Sequence, residues 1–84
     1  MQDEFISQMV KNLPVLRVAI GLTQEQLGTK LGVSRQTIVA IENQKSPLTW
    51  SLYLAMVCVF SQYDETKVLL DKLDLFFTEF VVSL

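Results

Sequence analysis

The fold is decided by residues 22–45, which read LTQEQLGTKLGVSRQTIVAIENQK. Thr23 is placed to cap a helix, and Gln26, three residues further on, is placed to complete a capping box. The helix that they start is predicted to run to about Leu31. Gly32 follows it and supplies the left-handed residue that ends a helix.

A second helix begins in the same way. Ser34 is a second cap, and Val33 and Ile38 occupy the two positions of a hydrophobic staple. This helix is predicted over Arg35 to about Glu42. Two helices joined by a turn of about three residues that contains a glycine have the spacing of a helix-turn-helix.

The second helix has two different sides. At ~100° per residue, Ile38 and Ile41 point one way. The opposite side presents Arg35 at its edge, with Gln36, Val39, Ala40 and Asn43. Arginine pairs with guanine, glutamine with adenine, and small apolar side chains contact the thymine methyl group, so this side suits a major groove. Taken alone, the pattern also fits an ordinary solvent-facing helix.

The flanking sequence predicts further short helices. A first helix places apolar side chains on its inner side, and Pro14 predicts a kink or a break near Asn12–Leu13. A fourth helix, roughly Thr49 to Phe60, is interpreted as core, with Cys58 as a small buried hydrophobe. Asp64 is predicted to cap a fifth helix that runs through about Lys72.

The C-terminal end is strongly apolar. Four side chains follow the 4-3-4 spacing of a helix-pairing seam, namely Leu69, Leu73, Phe76 and Phe80. This end either closes over the protein's own core or forms a subunit interface. A short β-strand near residues 76–82 that pairs across a dimer is the alternative.

Length and composition exclude several classes of protein. Eighty-four residues, half of them hydrophobic, make one folded domain. Because the sequence has a single cysteine and no histidine, it can form neither an internal disulfide nor the usual zinc sites. We therefore expect a cytoplasmic protein without a cofactor. The unbroken apolar run at 52–60 is too short to span a membrane. No nucleophile–base constellation or phosphate-cradling glycine loop indicates an enzyme.

The charge is unevenly distributed. The net charge is −2, yet residues 11–45 carry five basic and two acidic side chains. Residues 46–84 carry two basic and five acidic ones. The basic charge is thus gathered in the middle third of the sequence, which contains the two patterned helices, and for nucleic-acid binding this distribution matters more than the net charge.

The run at 22–45 resembles the Cro/repressor-type (Xre-type) helix-turn-helix family, in an ungapped match that extends less sharply over 13–60. The resemblance implies an all-α, lambda-repressor-like DNA-binding domain, a compact bundle of about five short helices. Residues 1–63 would form the helix-turn-helix core, with the motif at 23–42. Residues 64–84 would add the C-terminal helix and dimerisation segment of the same domain.

The resemblance also implies roles for individual residues. The base-reading positions are Arg35, Gln36, Val39 and Ala40. The positions expected to contact phosphates are Gln24, Asn43, Lys45 and Thr49, the last as the cap of the fourth helix. Arg17 and Glu42 match a structural arginine–glutamate pair, with a phosphate contact by Arg17 as a secondary possibility.

Three positions depart from the family pattern. Gly28 replaces the usual alanine, Ala40 lies where many relatives carry a longer side chain, and Gln44 replaces a glycine, so that a left-handed Asn43 is one way to end the helix. We expect a sequence-specific transcriptional regulator, a repressor that binds a two-fold operator as a homodimer. The alternative is a protein-interaction module that has kept the fold but binds little DNA.

Overall fold

The computed structural model describes residues 2–72, which form five α-helices and no strand. The helices are α1 (Gln2–Ala19), α2 (Gln24–Leu31), α3 (Arg35–Glu42), α4 (Trp50–Ser61) and α5 (Asp64–Lys72). The all-helical prediction is confirmed. Of the predicted seam, Leu69 lies half-buried on α5. Its other members, Leu73, Phe76 and Phe80, and the alternative strand at 76–82, lie outside the described residues.

Helix α1 is continuous through Pro14, so the break predicted near Asn12–Leu13 is wrong. A proline inside a helix costs about 3 kcal/mol, because it removes one hydrogen bond and crowds the preceding turn. Leu13 and Leu16 lie on either side of it and are fully buried. Each buried leucine contributes about 2 kcal/mol, and together they offset the cost of the proline.

Helices α2, α3 and α4 each begin at a hydroxyl cap. The Thr23, Ser34 and Thr49 side chains accept hydrogen bonds from backbone N–H groups three residues further on, at 3.0, 3.2 and 3.2 Å. At α2 the Gln26 side chain also accepts from the Thr23 N–H at 2.9 Å, which completes the predicted capping box. These bonds satisfy donors that a helix start otherwise leaves unpaired, and they fix where each helix begins.

Helix α3 ends at a left-handed residue that is not the one expected. Asn43 has φ −86°, so the suggestion of a left-handed Asn43 is wrong. Gln44 has φ +60° instead. The Lys45 N–H donates to the Ala40 carbonyl at 2.8 Å and the Gln44 N–H to the Ile41 carbonyl at 3.0 Å. This is the Schellman pattern, which requires its left-handed residue two positions beyond Glu42.

Two further details differ from the sequence prediction. Asp64 is the first residue of α5 rather than its cap, because the Tyr63 carbonyl already accepts the Lys67 N–H at 2.8 Å. Cys58 is exposed and not buried. On α4 the inward stripe is Tyr53, Met56, Val57 and Phe60, and position 58 falls on the other side.

One hydrophobic core joins the helices. Its fully or nearly buried members are Met9, Leu13, Leu16, Leu27, Ile38, Ile41, Leu48, Tyr53, Met56, Val57, Phe60 and Leu70. Helix α1 packs against α3, α4 and α5, and it therefore helps to hold α3 in position. None of the helices within residues 2–72 combines the length and apolar character needed to cross a membrane.

Candidate nucleic-acid interface

The turn between α2 and α3 holds the two helices in very close contact. The Val33 N–H donates to the Gly28 carbonyl at 2.9 Å. A β-carbon added at Gly28 would lie 2.7 Å from the Val33 carbonyl oxygen and 3.3 Å from backbone atoms of Ser34. The absence of a side chain at Gly28 therefore lets the backbone of the turn lie directly on α2, which sets the position of α3.

Helix α3 separates its core side from its outer side. Ile38 and Ile41 are buried against the other helices. The residues predicted to read bases share the outer side: Arg35 and Gln36 are exposed, and Val39 and Ala40 are half-buried. The helix thus presents a shallow apolar centre with longer polar side chains near its N-terminal end.

The Glu42 carboxylate connects three helices. It accepts from Arg17 Nε at 2.8 Å and Arg17 Nη2 at 3.2 Å, and from Gln24 Nε2 at 3.0 Å. Arg17 Nη1 also donates to the Leu22 carbonyl at 3.0 Å. The ion-paired side chains are only 15% and 7% exposed. Because the pair is bidentate and largely shielded from water, it is stronger than an ordinary surface ion pair.

The bond between Gln24 and Glu42 is not predicted from the sequence. Gln24 opens α2 and Glu42 closes α3, and no local spacing signals that two such positions meet. The bond occupies one of the two N–H donors of the Gln24 side-chain amide.

The other predicted phosphate contacts lie beyond the C-terminal end of α3. Asn43 and Lys45 are exposed in the loop that leads to α4. Thr49 is exposed as well, and its hydroxyl caps α4. The structure therefore places these three residues along one loop, and the bond to Glu42 brings Gln24 to the end of α3 from which that loop leaves.

The Arg17–Glu42 ion pair reduces the number of uncompensated charges in this part of the chain. Since Glu42 neutralises Arg17, four basic side chains and one acidic side chain remain in residues 11–45. The residues that the structure describes contain no group of three or more potential metal ligands. The surface is suited to binding an anionic partner by charge and hydrogen bonds.

Comparison with known proteins agrees with this geometry. Residues 16–52 match the Helix-turn-helix family model. Over 37 residues the chain is 57% identical to a protein of Methanocaldococcus jannaschii described as an uncharacterized HTH-type transcriptional regulator. That match covers 44% of this chain and 56% of the relative. No solved structure gives a significant match. With its capped helices, three-residue turn and family match, the segment at 16–52 is a helix-turn-helix that is similar to those of the Cro/C1 type.

Proposed function

We propose that this protein is a sequence-specific DNA-binding transcriptional regulator that places α3 in the major groove. The observation that carries the proposal is the division of α3 into a buried side and an outer side of groove-compatible residues. The description of the archaeal relative as an HTH-type transcriptional regulator supports it. We further propose a cytoplasmic repressor without enzymatic activity.

Each outer residue of α3 has a proposed partner. The Arg35 guanidinium donates to a guanine edge, and the Gln36 amide pairs with an adenine. Val39 and Ala40 contact thymine methyl groups or allow the helix to lie close to the base pairs. Asn43, Lys45 and Thr49 bind the phosphates that fix the register, as does the first turn of α2 at Gln24. Arg17 and Glu42 keep the helices in place.

The regulator is proposed to act as a homodimer. Family members bind two-fold operators, and a dimer doubles a contact surface with few positive charges. Residues 1–63 would bind DNA, and residues 64–84 would pair the subunits through the seam at Leu69, Leu73, Phe76 and Phe80. A chain that ends at Lys72 is expected to lose half its mass in solution and much of its operator affinity. Unchanged mass and affinity would refute this arrangement.

A second candidate function is a protein-interaction module. The small side chains at Val39 and Ala40 and the net charge of −2 favour it, since both weaken base reading and phosphate attraction. The side chains expected to contact DNA favour the first function, since Arg35, Gln36, Asn43 and Lys45 are each exposed and Gln24 is half-buried at the start of α2.

The deciding experiment is selection of bound duplexes from a randomised pool, followed by sequencing. The wild-type chain is compared with Arg35→Ala and Gln36→Ala, and with Lys67→Ala on α5 as a control. We expect a two-fold-symmetric motif with half-sites about ten base pairs apart. Either α3 variant should relax the motif at one position, at a cost of about 1–3 kcal/mol, whereas the control should not. No enrichment even at low salt would contradict DNA binding and favour the interaction module.

A further inference from the structure

A groove with a volume of about 570 Å³ lies between the first half of α1 and the loop from α3 to α4. It is open to solvent, and Lys11 and Lys45 line it from opposite elements. Both lysines are exposed. The hydroxyl groups of Ser7 and Ser46 line the same groove. Two cations and two hydroxyls form a donor set for phosphate oxygens.

One acidic side chain, Asp3, also lines the groove. Asp3 and Lys11 lie eight residues apart on α1, which is roughly 12 Å at the rise of an α-helix. On the α1 wall, the Asp3 carboxylate and the Lys11 side chain therefore lie at opposite ends of the groove. A phosphate is favoured at the lysine end and disfavoured at the Asp3 end.

The groove adjoins the surface that would contact DNA. Lys45 follows α3 by three residues, and its N–H is bonded to the Ala40 carbonyl at 2.8 Å. The loop wall of the groove is therefore fixed to the C-terminal end of α3. A helix in the major groove has a phosphate backbone on either side, because the groove is only about 12 Å wide. The backbone that passes the end of α3 would run along this loop.

We propose that the groove holds the sugar–phosphate backbone of the duplex that α3 reads, and that Lys11 of α1 binds a phosphate next to the one bound by Lys45. This inference rests on the proposed DNA-binding function and adds α1 to the interface. The occupant is duplex DNA, since the donors match its phosphates and the groove continues the proposed interface.

The test is the salt dependence of binding to the duplex enriched by the selection, measured by fluorescence anisotropy. Removal of a single lysine–phosphate interaction lowers the slope of log K against log salt by about 0.9. Because a homodimer carries each lysine twice, Lys11→Gln and Lys45→Gln should each reduce the slope by about 1.8, and the double variant by about twice as much. A fourfold rise in salt should then weaken the wild-type complex about twelvefold more than either single variant. Lys67→Gln, on α5 and away from the groove, is the matched control.

A second variant tests the sign of the electrostatic effect. Asp3→Asn removes the one acidic side chain of the groove and should tighten binding at low salt, with little effect at high salt. Circular dichroism and thermal unfolding of each variant verify that the fold is retained.

The possible results distinguish a failure of the groove proposal from a failure of the proposed DNA-binding function. An unchanged slope for Lys11→Gln beside a reduced slope for Lys45→Gln would overturn the inference and leave the proposed function intact. A change in solution mass on Lys11→Gln, with the slope unchanged, would overturn it in favour of a second copy of the chain in the groove. If the wild-type protein binds no duplex, the proposed function itself fails.

Discussion

Replacing Gly28 by alanine should destabilise the protein, although alanine is the better helix former. The substitution improves the intrinsic propensity of α2 by about 1 kcal/mol. Against this, the new β-carbon would stand 2.7 Å from the Val33 carbonyl oxygen. That oxygen belongs to the backbone of the turn and cannot swing aside as a side chain would.

The size of the effect follows from these two terms. Relief of the clash requires the turn to move away from α2, and overpacking of this kind costs about 1–3 kcal/mol. The movement also strains the 2.9 Å bond from the Val33 N–H to the Gly28 carbonyl, worth about 1 kcal/mol. After the gain in propensity is subtracted, we expect a net loss of about 2 kcal/mol. For a domain of this size that lowers the midpoint of thermal unfolding by roughly 10 °C.

The assay is urea and thermal unfolding followed by circular dichroism, with Lys30→Ala on the exposed side of α2 as the control. The control should change the free energy of unfolding by less than about 0.5 kcal/mol. An alanine variant at Gly28 that is as stable as the wild type, or more stable by the propensity gain, would refute the reasoning that the α2–α3 contact excludes a side chain.

Three further predictions concern other parts of the domain. Gln44→Gly should raise the free energy of unfolding in denaturant by about 1 kcal/mol, because a φ of +60° is costly for glutamine and not for glycine. A loss of stability would show that contacts of the glutamine side chain outweigh the backbone strain. Glu42→Gln should lower the free energy of unfolding by about 2 kcal/mol, since it leaves Arg17 without its ionic partner. An effect below about 0.5 kcal/mol would show that this pair is no stronger than an ordinary surface ion pair. Burial raises the pKa of Tyr53 from 10.0 to about 12, so the folded state retains the proton longer than the unfolded chain. The stability that comes from burying the neutral phenol of Tyr53 is intact below pH 10. As the pH rises towards 12, the free energy of unfolding falls by about 1.4 kcal/mol per pH unit. Tyr53→Phe should lack that loss, which alkaline unfolding curves and tyrosinate absorbance of the two proteins would reveal.

The sequence predicts the helix-turn-helix well because its signals are local. Thr23 and Ser34 are hydroxyl caps with partners three residues away, and Gly32 has the left-handed backbone that ends α2. Each of these signals is complete within one or two turns of chain. The boundaries of α2 and α3 could therefore be predicted without knowledge of the tertiary structure.

The details that the sequence does not predict depend on contacts between residues that are distant in sequence, or on the residue at which a helix ends. Pro14 does not break α1, because the packing of its neighbours outweighs the absence of one hydrogen bond. Gln44 is left-handed because the end of α3 fixes that position, whatever residue occupies it. The bond from Gln24 to Glu42 joins residues 18 apart, and only the fold brings them together.

Within the site, the pattern predicts which side chains share the outer side of α3 but not what surrounds them. The 3.6-residue period alone places Gln36 and Ala40 away from Ile38. It contains no information on the groove beside the loop, because α1 supplies one wall from more than thirty residues upstream of Lys45. Surfaces built from two distant segments remain invisible to a local pattern.

The division of α3 has a consequence for how such proteins diversify. The side chains that hold the helix in the domain, Ile38 and Ile41, are not those that face outward. Exposed substitutions at Arg35 or Gln36 should cost the fold less than about 0.5 kcal/mol. Under the proposed function, target preference therefore evolves almost independently of stability. A few changes on one side of an eight-residue helix would then redirect the protein to a new DNA sequence without a compensating change in its core.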